Sequence, residues 1–438
     1  MALTKLTTNL ISGDIVTSVN GSSGAVTLET GTDWQTAIQT SNFTAVASKG
    51  YFVNTTSAEV TITLPVGAVG DEIVIQDYAG TFATNKIILA ANGSEKIQGA
   101  ANDFKCVINN STVTLIYQDA TKGWTADNIE ENLPPLTVNY LVIAGGGGGA
   151  GTYHGGGGGA GGLRTSYGSI TGGGGSAETS LSLIASTNYT ITVGGGGAGG
   201  VGSTNNPGFS PSNGVNSKFG VVGSEIESTG GGYGGYYQRS GGDGGSGGGA
   251  NGATGTSTTP GSAVTSPVTQ GFIGGITSSG SNDAGGGGGA SEAGKPGGTA
   301  AGQLGAGGSG LAVNILNATN AATASVGEVS GSDIYYAGGG GGAPYPNDYT
   351  AQGGLGGGGN GSYSAGGSGI DNTGGGGGGS ERGSGTSNGG NGGSGVVIIQ
   401  YPSAYTVSGL AQATGSPFTE GTYKVSVFTT GTGTITFT

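Results

Sequence analysis

Residue types that dominate enzyme and metal sites are almost missing. The 438-residue chain has one cysteine, Cys106, and one histidine, His154. A disulfide within the chain is therefore impossible. No carboxylate or cysteine stands near His154 in the sequence, which favours a loop residue over a catalytic base or a metal ligand. Cationic side chains are sparse: 12 Lys and Arg stand against 25 Asp and Glu, a net charge of −13. There is no basic run, so nucleic acid and anionic lipid are not expected partners. No apolar stretch approaches the roughly 18 residues that cross a bilayer, and membrane insertion is not expected. The opening residues, MALTKLTTNLISG, lack the apolar core of a signal peptide. An extracellular role would then require release by lysis.

Glycine is abundant, with 107 residues, and it is unevenly placed: 11 lie in 1–144, 91 in 145–395 and 5 in 396–438. This shift divides the chain into an N-terminal domain (1–130), a linker (131–137) containing Leu133-Pro134-Pro135, a glycine-rich domain (138–402) and a C-terminal segment (403–438). The first part reads as β-structure. VTSVNGSSGAVTLET (16–30) carries an Asn20-Gly21 turn signal. Six strand-like segments follow at 51–56, 59–65, 71–78, 85–92, 103–109 and 111–119, each rich in Val, Ile, Thr and Tyr. Their spacing predicts a β-sandwich or small barrel. One short helix is expected over 33–41, with Asp33 as its cap. Cys106 is expected in the core.

The glycines form discrete blocks at 145–149, 155–159, 172–175, 194–197, 285–289, 338–342, 356–359 and 374–379. A flexible linker needs no apolar stretches between its glycines, whereas QGFIGGI (270–276) and GLAVNIL (310–316) are both present. Collagen needs Gly at every third place and abundant proline, but the chain has 12 prolines. The remaining ordered option is the extended polyglycine II helix, with three residues per turn and no internal hydrogen bonds. Its outward N–H and C=O groups need partners. Fixing a residue costs about 1–2 kcal/mol, and glycine brings no apolar side chain, so main-chain bonds between helices must offset that cost. The fold expected is mainly β plus a bundle of packed polyglycine II helices closed by β-strands. VNYLVIA (138–144) and GVVIIQYP (395–402) would pair as apolar strands at its end. SAETSLSLIA (176–185) and NYTITVGGGG (188–197) form another strand group, and 422–438 reads as a β-hairpin.

NYLVIAGGGGGAG (139–151), HGGGGGAGGLRTS (154–166), NYTITVGGGGAGG (188–200), IYYAGGGGGA (334–343) and SGVVIIQYP (394–402) resemble the glycine-rich domain of phage tail fibres, particularly cyanophage-like ones. SVNGSSGAV (18–26) and the segments of 50–124 are similar to fibre β-domains. The resemblance extends to tip adhesins of T-even-type long tail fibres, in which packed polyglycine helices present loops to host receptors. It implies a virion tail-fibre protein made in the host cytoplasm and released by lysis. It also implies a homotrimer joined to other tail proteins through its N-terminal domain. The host receptor would be a glycan or an outer-membrane component.

Contact residues are expected in the loops between blocks. Chemistry favours tyrosine and arginine, which bury large area while ordering few torsions. One cluster holds Tyr233, Tyr236, Tyr237 and Arg239; a second holds Tyr345, Asp348 and Tyr349; Tyr153 and His154 form a smaller one. Tyr335 and Tyr336 follow Ile334 and read as packing. No catalytic residue, metal site or cofactor is expected. The acidic neighbours Glu225/Glu227 and Asp71/Glu72 lack a facing carboxylate constellation of the kind glycosidases need. GxGxxG-like matches arise from composition, with no strand–turn–helix context. The alternatives are a structural virion fibre or decoration protein, an ice-binding protein and a capsule depolymerase. The ice-binding reading requires a regular Thr/Ala face, which the irregular aromatic loops do not supply.

Overall fold

A computed structural model describes residues 18–19, 22–23, 32–151, 153–202, 210–252, 258–277, 281–298, 304–345, 349–381 and 387–438. The chain divides into two compact units, Met1–Pro134 and Pro135–Thr438.

In the first unit, each strand-like segment of 51–119 contains a strand, and up to Ile87–Ala90 the chain alternates between two five-stranded sheets. One has the order Trp124–Thr125, Thr112–Tyr117, Glu72–Asp77, Lys49–Val53, Asp33–Trp34. The other runs Glu130–Glu131, Phe104–Cys106, Ile87–Ala90, Val60–Thr63, Phe43–Thr44. Strands with period-two alternation send Val60, Ile62, Ile73, Ile75, Ile87 and Leu89 into one core, where Cys106 and Trp124 are also buried. The expected sandwich or barrel is corrected here. Neither sheet closes on itself, and pairing is parallel through the first half: 33–34 with 49–53, 49–53 with 72–77, and 60–63 with 87–90. Up to Ile87–Ala90, successive segments cross to the other sheet and each strand meets the one two places earlier in the same direction; beyond it, 87–90 with 104–106 and 112–117 with 124–125 turn back as antiparallel neighbours.

The helix expected over 33–41 is absent. Asp33–Trp34 is a strand, and Trp34 stacks on Phe52 at 4.7 Å. Gly50 makes this possible, because a Cβ there would lie 2.7 Å from the Trp34 ring.

In the second unit, the two apolar strands pair antiparallel, with Asn139 opposite Gln400 and Ile143 opposite Val396. Their sheet runs Leu163–Thr165, Thr137–Ile143, Val396–Pro402, Tyr423–Phe428, Phe418–Glu420. A second sheet runs Ile226–Ser228, Ser217–Gly220, Asn188–Thr192, Thr432–Phe437, Val407–Gly409. The C-terminal hairpin is therefore corrected: 423–428 and 432–437 belong to different sheets and do not pair with each other. A helix not foreseen, Ala318–Ala324, begins at Asn317, whose side chain accepts from the Asn320 N–H.

The glycine segments bond mainly to one another through their main chains, with a period of three. Gly145 and Gly148 donate to Val215 and Ser212; Gly146 and Gly149 donate to Gly393 and Gly390; Gly147 and Ala150 donate to Gly159 and Gly156. Each residue of a turn thus faces a different neighbouring segment. The 155–160 block repeats the pattern with partners at 380/377, 235/232 and 285/288. Neighbours approach so closely that a Cβ at any of Gly145–Gly149 would lie 1.9–2.2 Å from a carbonyl oxygen. The bundle closed by strands is nevertheless not what forms. The sheets stay open, with 163–165 and 418–420 as edges. Strands lead into and out of the glycine segments without sealing them, because the segments satisfy their own polar groups sideways.

Gly157→Ala would place a Cβ 2.1 Å from the Gly340 oxygen, whereas Gly195 has nothing within 4 Å. Chemical denaturation should show Gly157→Ala destabilised by at least about 1–3 kcal/mol, and Gly195→Ala changed by no more than about 1 kcal/mol.

Candidate functional site

Hydrogen-bond register decides where the loops emerge. Segment 145–150 leaves the 137–143 strand, so Ala150 lies at the end away from that sheet. Segment 230–235 runs the same way, since Gly231 donates to Gly145 (2.9 Å) and Gly234 to Gly148 (3.0 Å). Segment 338–343 ends beside the start of 155–160, with Gly340 donating to Gly158 and Ala343 to Gly155. Segment 376–380 also runs outward, Gly377 donating to Gly147 and Ser380 to Ala150. Segment 284–290 starts there, because Gly157 donates to Gly285. The loops that follow or precede these ends therefore gather at one end of the glycine block.

There the three residue clusters picked out in the sequence meet. The Tyr153 ring contacts Tyr237 edge-on at 5.4 Å. His154 packs against Tyr345 at 5.3 Å. Tyr233 meets Tyr236 at 6.1 Å, and the Arg239 guanidinium lies over the Tyr236 ring at 5.9 Å. Tyr237, Arg239 and Tyr345 are exposed, while Tyr153, His154, Tyr233, Tyr236 and Tyr349 are half-buried. Asp348 lies outside the described residues.

Three polar residues hold this end together. Asn251, fully buried, donates from Nδ2 to the carbonyls of Tyr153 and His154 and accepts at Oδ1 from the Gln238 N–H. Asp283 accepts at Oδ1 from the Tyr345 N–H (2.8 Å) and from the Tyr349 hydroxyl. Burial, and then this carboxylate, push the Tyr349 phenol well above the usual tyrosine range, so it stays protonated and donates. Glu381, also buried, brings Oε2 to 2.5 Å from His154 Nδ1. This corrects the reading of His154 as remote from any carboxylate: Glu381 reaches it from a loop more than two hundred positions away.

The backbone is held in an uncommon conformation. Tyr153 and His154 (φ 49° and 59°) and Tyr237 and Gln238 (φ 39° and 63°) are all left-handed. Non-glycine residues persist there when their surroundings over-determine them, and they cluster at ligand-contacting sites. Asn251 supplies that constraint for both loops.

Sequence reasoning missed Asn251 and Asp283 as anchors. Their signal was position: each polar residue stands within two places of a glycine-block edge, in GGGAN (247–251) and NDAGG (282–286). The acidic pairs considered for hydrolysis do not face one another. Glu227 bonds Asn216 and Lys218, and Glu225 caps Gly223 in its own turn. Asp71 caps Ala68, and Glu72 accepts from Thr32. Tyr336 is buried in the main core of its unit. Among the described residues no group of three or more His, Cys, Asp or Glu is placed to hold a metal ion.

The family described as a glycine-rich domain matches residues 121–402. No curated protein matches the chain.

Asn251→Ala would strip two carbonyls and one N–H of a buried partner. We expect a loss of about 1–3 kcal/mol, with limited proteolysis gaining cleavage in 236–240 before the rest of the unit is cut.

Proposed function

We propose that this chain, which belongs to the glycine-rich domain family, is a tail-fibre adhesin of a phage. In this reading its clustered loops bind a receptor on the host cell surface. It acts by binding and not by catalysis, as part of the virion. The N-terminal unit joins it to other tail proteins, and the fibre is a homotrimer.

The observation that carries the reading is the convergence of separate loops into one aromatic surface. Tyr237, Tyr345 and Arg239 are exposed there, yet the loops bearing them are anchored by buried Asn251 and Asp283. A recognition surface gains affinity when its contact groups are ordered before binding. Tyrosine and arginine supply wide, amphipathic contact with few torsions to freeze. The glycine block beneath has no side chains to rearrange, which keeps the loops' bases fixed. Tyr349 and Tyr236 extend the same surface.

Labelled full-length protein applied to a panel of bacterial strains, cyanobacteria included, should bind some strains saturably and compete with phage adsorption. Replacing Tyr236, Tyr237 and Arg239 together with alanine should abolish that binding while leaving the melting temperature unchanged. Absence of binding to every strain, and no slowing of infection, would instead favour a purely structural fibre or decoration protein.

A further inference from the structure

Beside the loop cluster, and sharing Tyr349 with it, lies a groove of about 700 Å³. That volume falls within the ~300–1,000 Å³ of small-ligand sites. Three neighbouring segments build it: Lys295 donates its N–H to Ala306 (2.9 Å), and Gly307 donates to Gln352 (2.8 Å). Its middle segment presents the small residues Ala306, Gly307 and Ser309, with Leu304 at its start, while larger side chains stand on the segments to either side. Tyr349 marks one end, next to the anchored loops. Glu292, Lys295 and Ser309 lie further along it, with Leu355 as an apolar wall.

The chemistry of the lining narrows the occupant. Lys295 and Glu292 form an ion pair with each other, and Ser309 Oγ donates to the second Glu292 oxygen at 3.1 Å. The two charges cancel, so nothing here selects a phosphate, a sulfate or a metal cation. A lipid chain would need a continuous apolar lining, and this one is broken by the ion pair and by Gln352 and Thr350. What remains is a carboxylate with lone pairs to share, an ammonium, hydroxyl and amide groups, and one aromatic ring, set along an elongated path. The Lys295 ammonium holds the Glu292 carboxyl below its usual range, so it is an acceptor at neutral pH. Ionised carboxylates accept strongly from paired hydroxyls, and a phenol ring offers a flat apolar face to a sugar ring.

We propose that this groove binds a neutral oligosaccharide, Glu292 accepting from its hydroxyls and Tyr349 packing against a ring. The proposal rests on the surface-binding reading and gives it a ligand class: an uncharged surface glycan entering from the loop end.

The test uses the full-length protein and a printed array of neutral hexose and N-acetylhexosamine oligosaccharides of three to six units. Sulfated and uronic-acid oligosaccharides and extended peptides are printed alongside. Neutral members should be bound, and saturation-transfer NMR on them should show at least tenfold weaker binding for Glu292→Gln. Ala306→Leu, which fills the groove from its base, should do the same, both variants melting within a few degrees of the parent. Binding to acidic glycans or peptides alone, no binding to any array member, or neutral binding unchanged in both variants would each overturn the proposal. Cell binding measured in parallel separates the two readings. Cells bound without any neutral glycan bound sinks the groove and leaves the adhesin standing, whereas neither bound sinks both.

Discussion

A carbonyl oxygen stands where a Cβ would be. At Gly145–Gly149 the neighbouring oxygen lies about 2 Å from that position, and the same closeness lets each N–H reach across to the next segment. The interaction is between main chains only, and it is collective. One extended segment has no internal bonds and cannot persist alone. Segment 145–150 is surrounded by six others, three that accept its N–H groups and three that donate to its carbonyls, so every third residue meets the same neighbours and the backbone is satisfied all round. Strands at either side then matter as entry and exit, not as a lid.

This constraint expels variety from the block. Side chains larger than hydrogen are few here: Ala144, Ala150, Ala160, Ala284, Ala290 and Ala343 are buried at block ends, and Ser246 is buried within 244–249. Everything with chemical character must sit in the loops, or on segments at the flank such as 292–295. The loops start from bases that cannot shift sideways. Two of them hold left-handed tyrosines, histidine and glutamine, a conformation that a mobile loop would relax out of. Buried Asn251 and Asp283 carry that order from the block into the loop cluster.

Much of this was legible along the chain. Short runs rich in Val, Ile, Thr and Tyr, set apart by turn residues, located the strands of 51–119. The uniform apolarity of 138–144 and 396–399 implied partners on both faces, and they are each other's neighbours. Tyr233–Arg239, Tyr345–Tyr349 and Tyr153–His154 stood out as clusters before any geometry was known. Other features were not legible. Residues 33–41 have a helical spacing of Trp34 and Ile38, but Gly50 opens a slot that captures Trp34 on a sheet. Strand spacing near ten residues fits hairpins and crossovers equally, so the parallel pairing and the open sheets could not be read from it. The tail's two strands look like a hairpin because a short turn joins them, yet each pairs in a different sheet, 423–428 with Val396–Pro402 and 432–437 with Asn188–Thr192.

Composition alone determined that the glycine blocks within 145–395 could be ordered only through their backbone, since glycine offers nothing else to pack, and that side-chain chemistry had to lie between the blocks. Which loops face which, and that His154 meets Glu381 while Tyr153 meets Tyr237, was decided by the direction in which each segment runs. That direction follows from main-chain bonds between segments far apart in sequence. Glycine encodes no preference among such partners, because every glycine presents the same two groups.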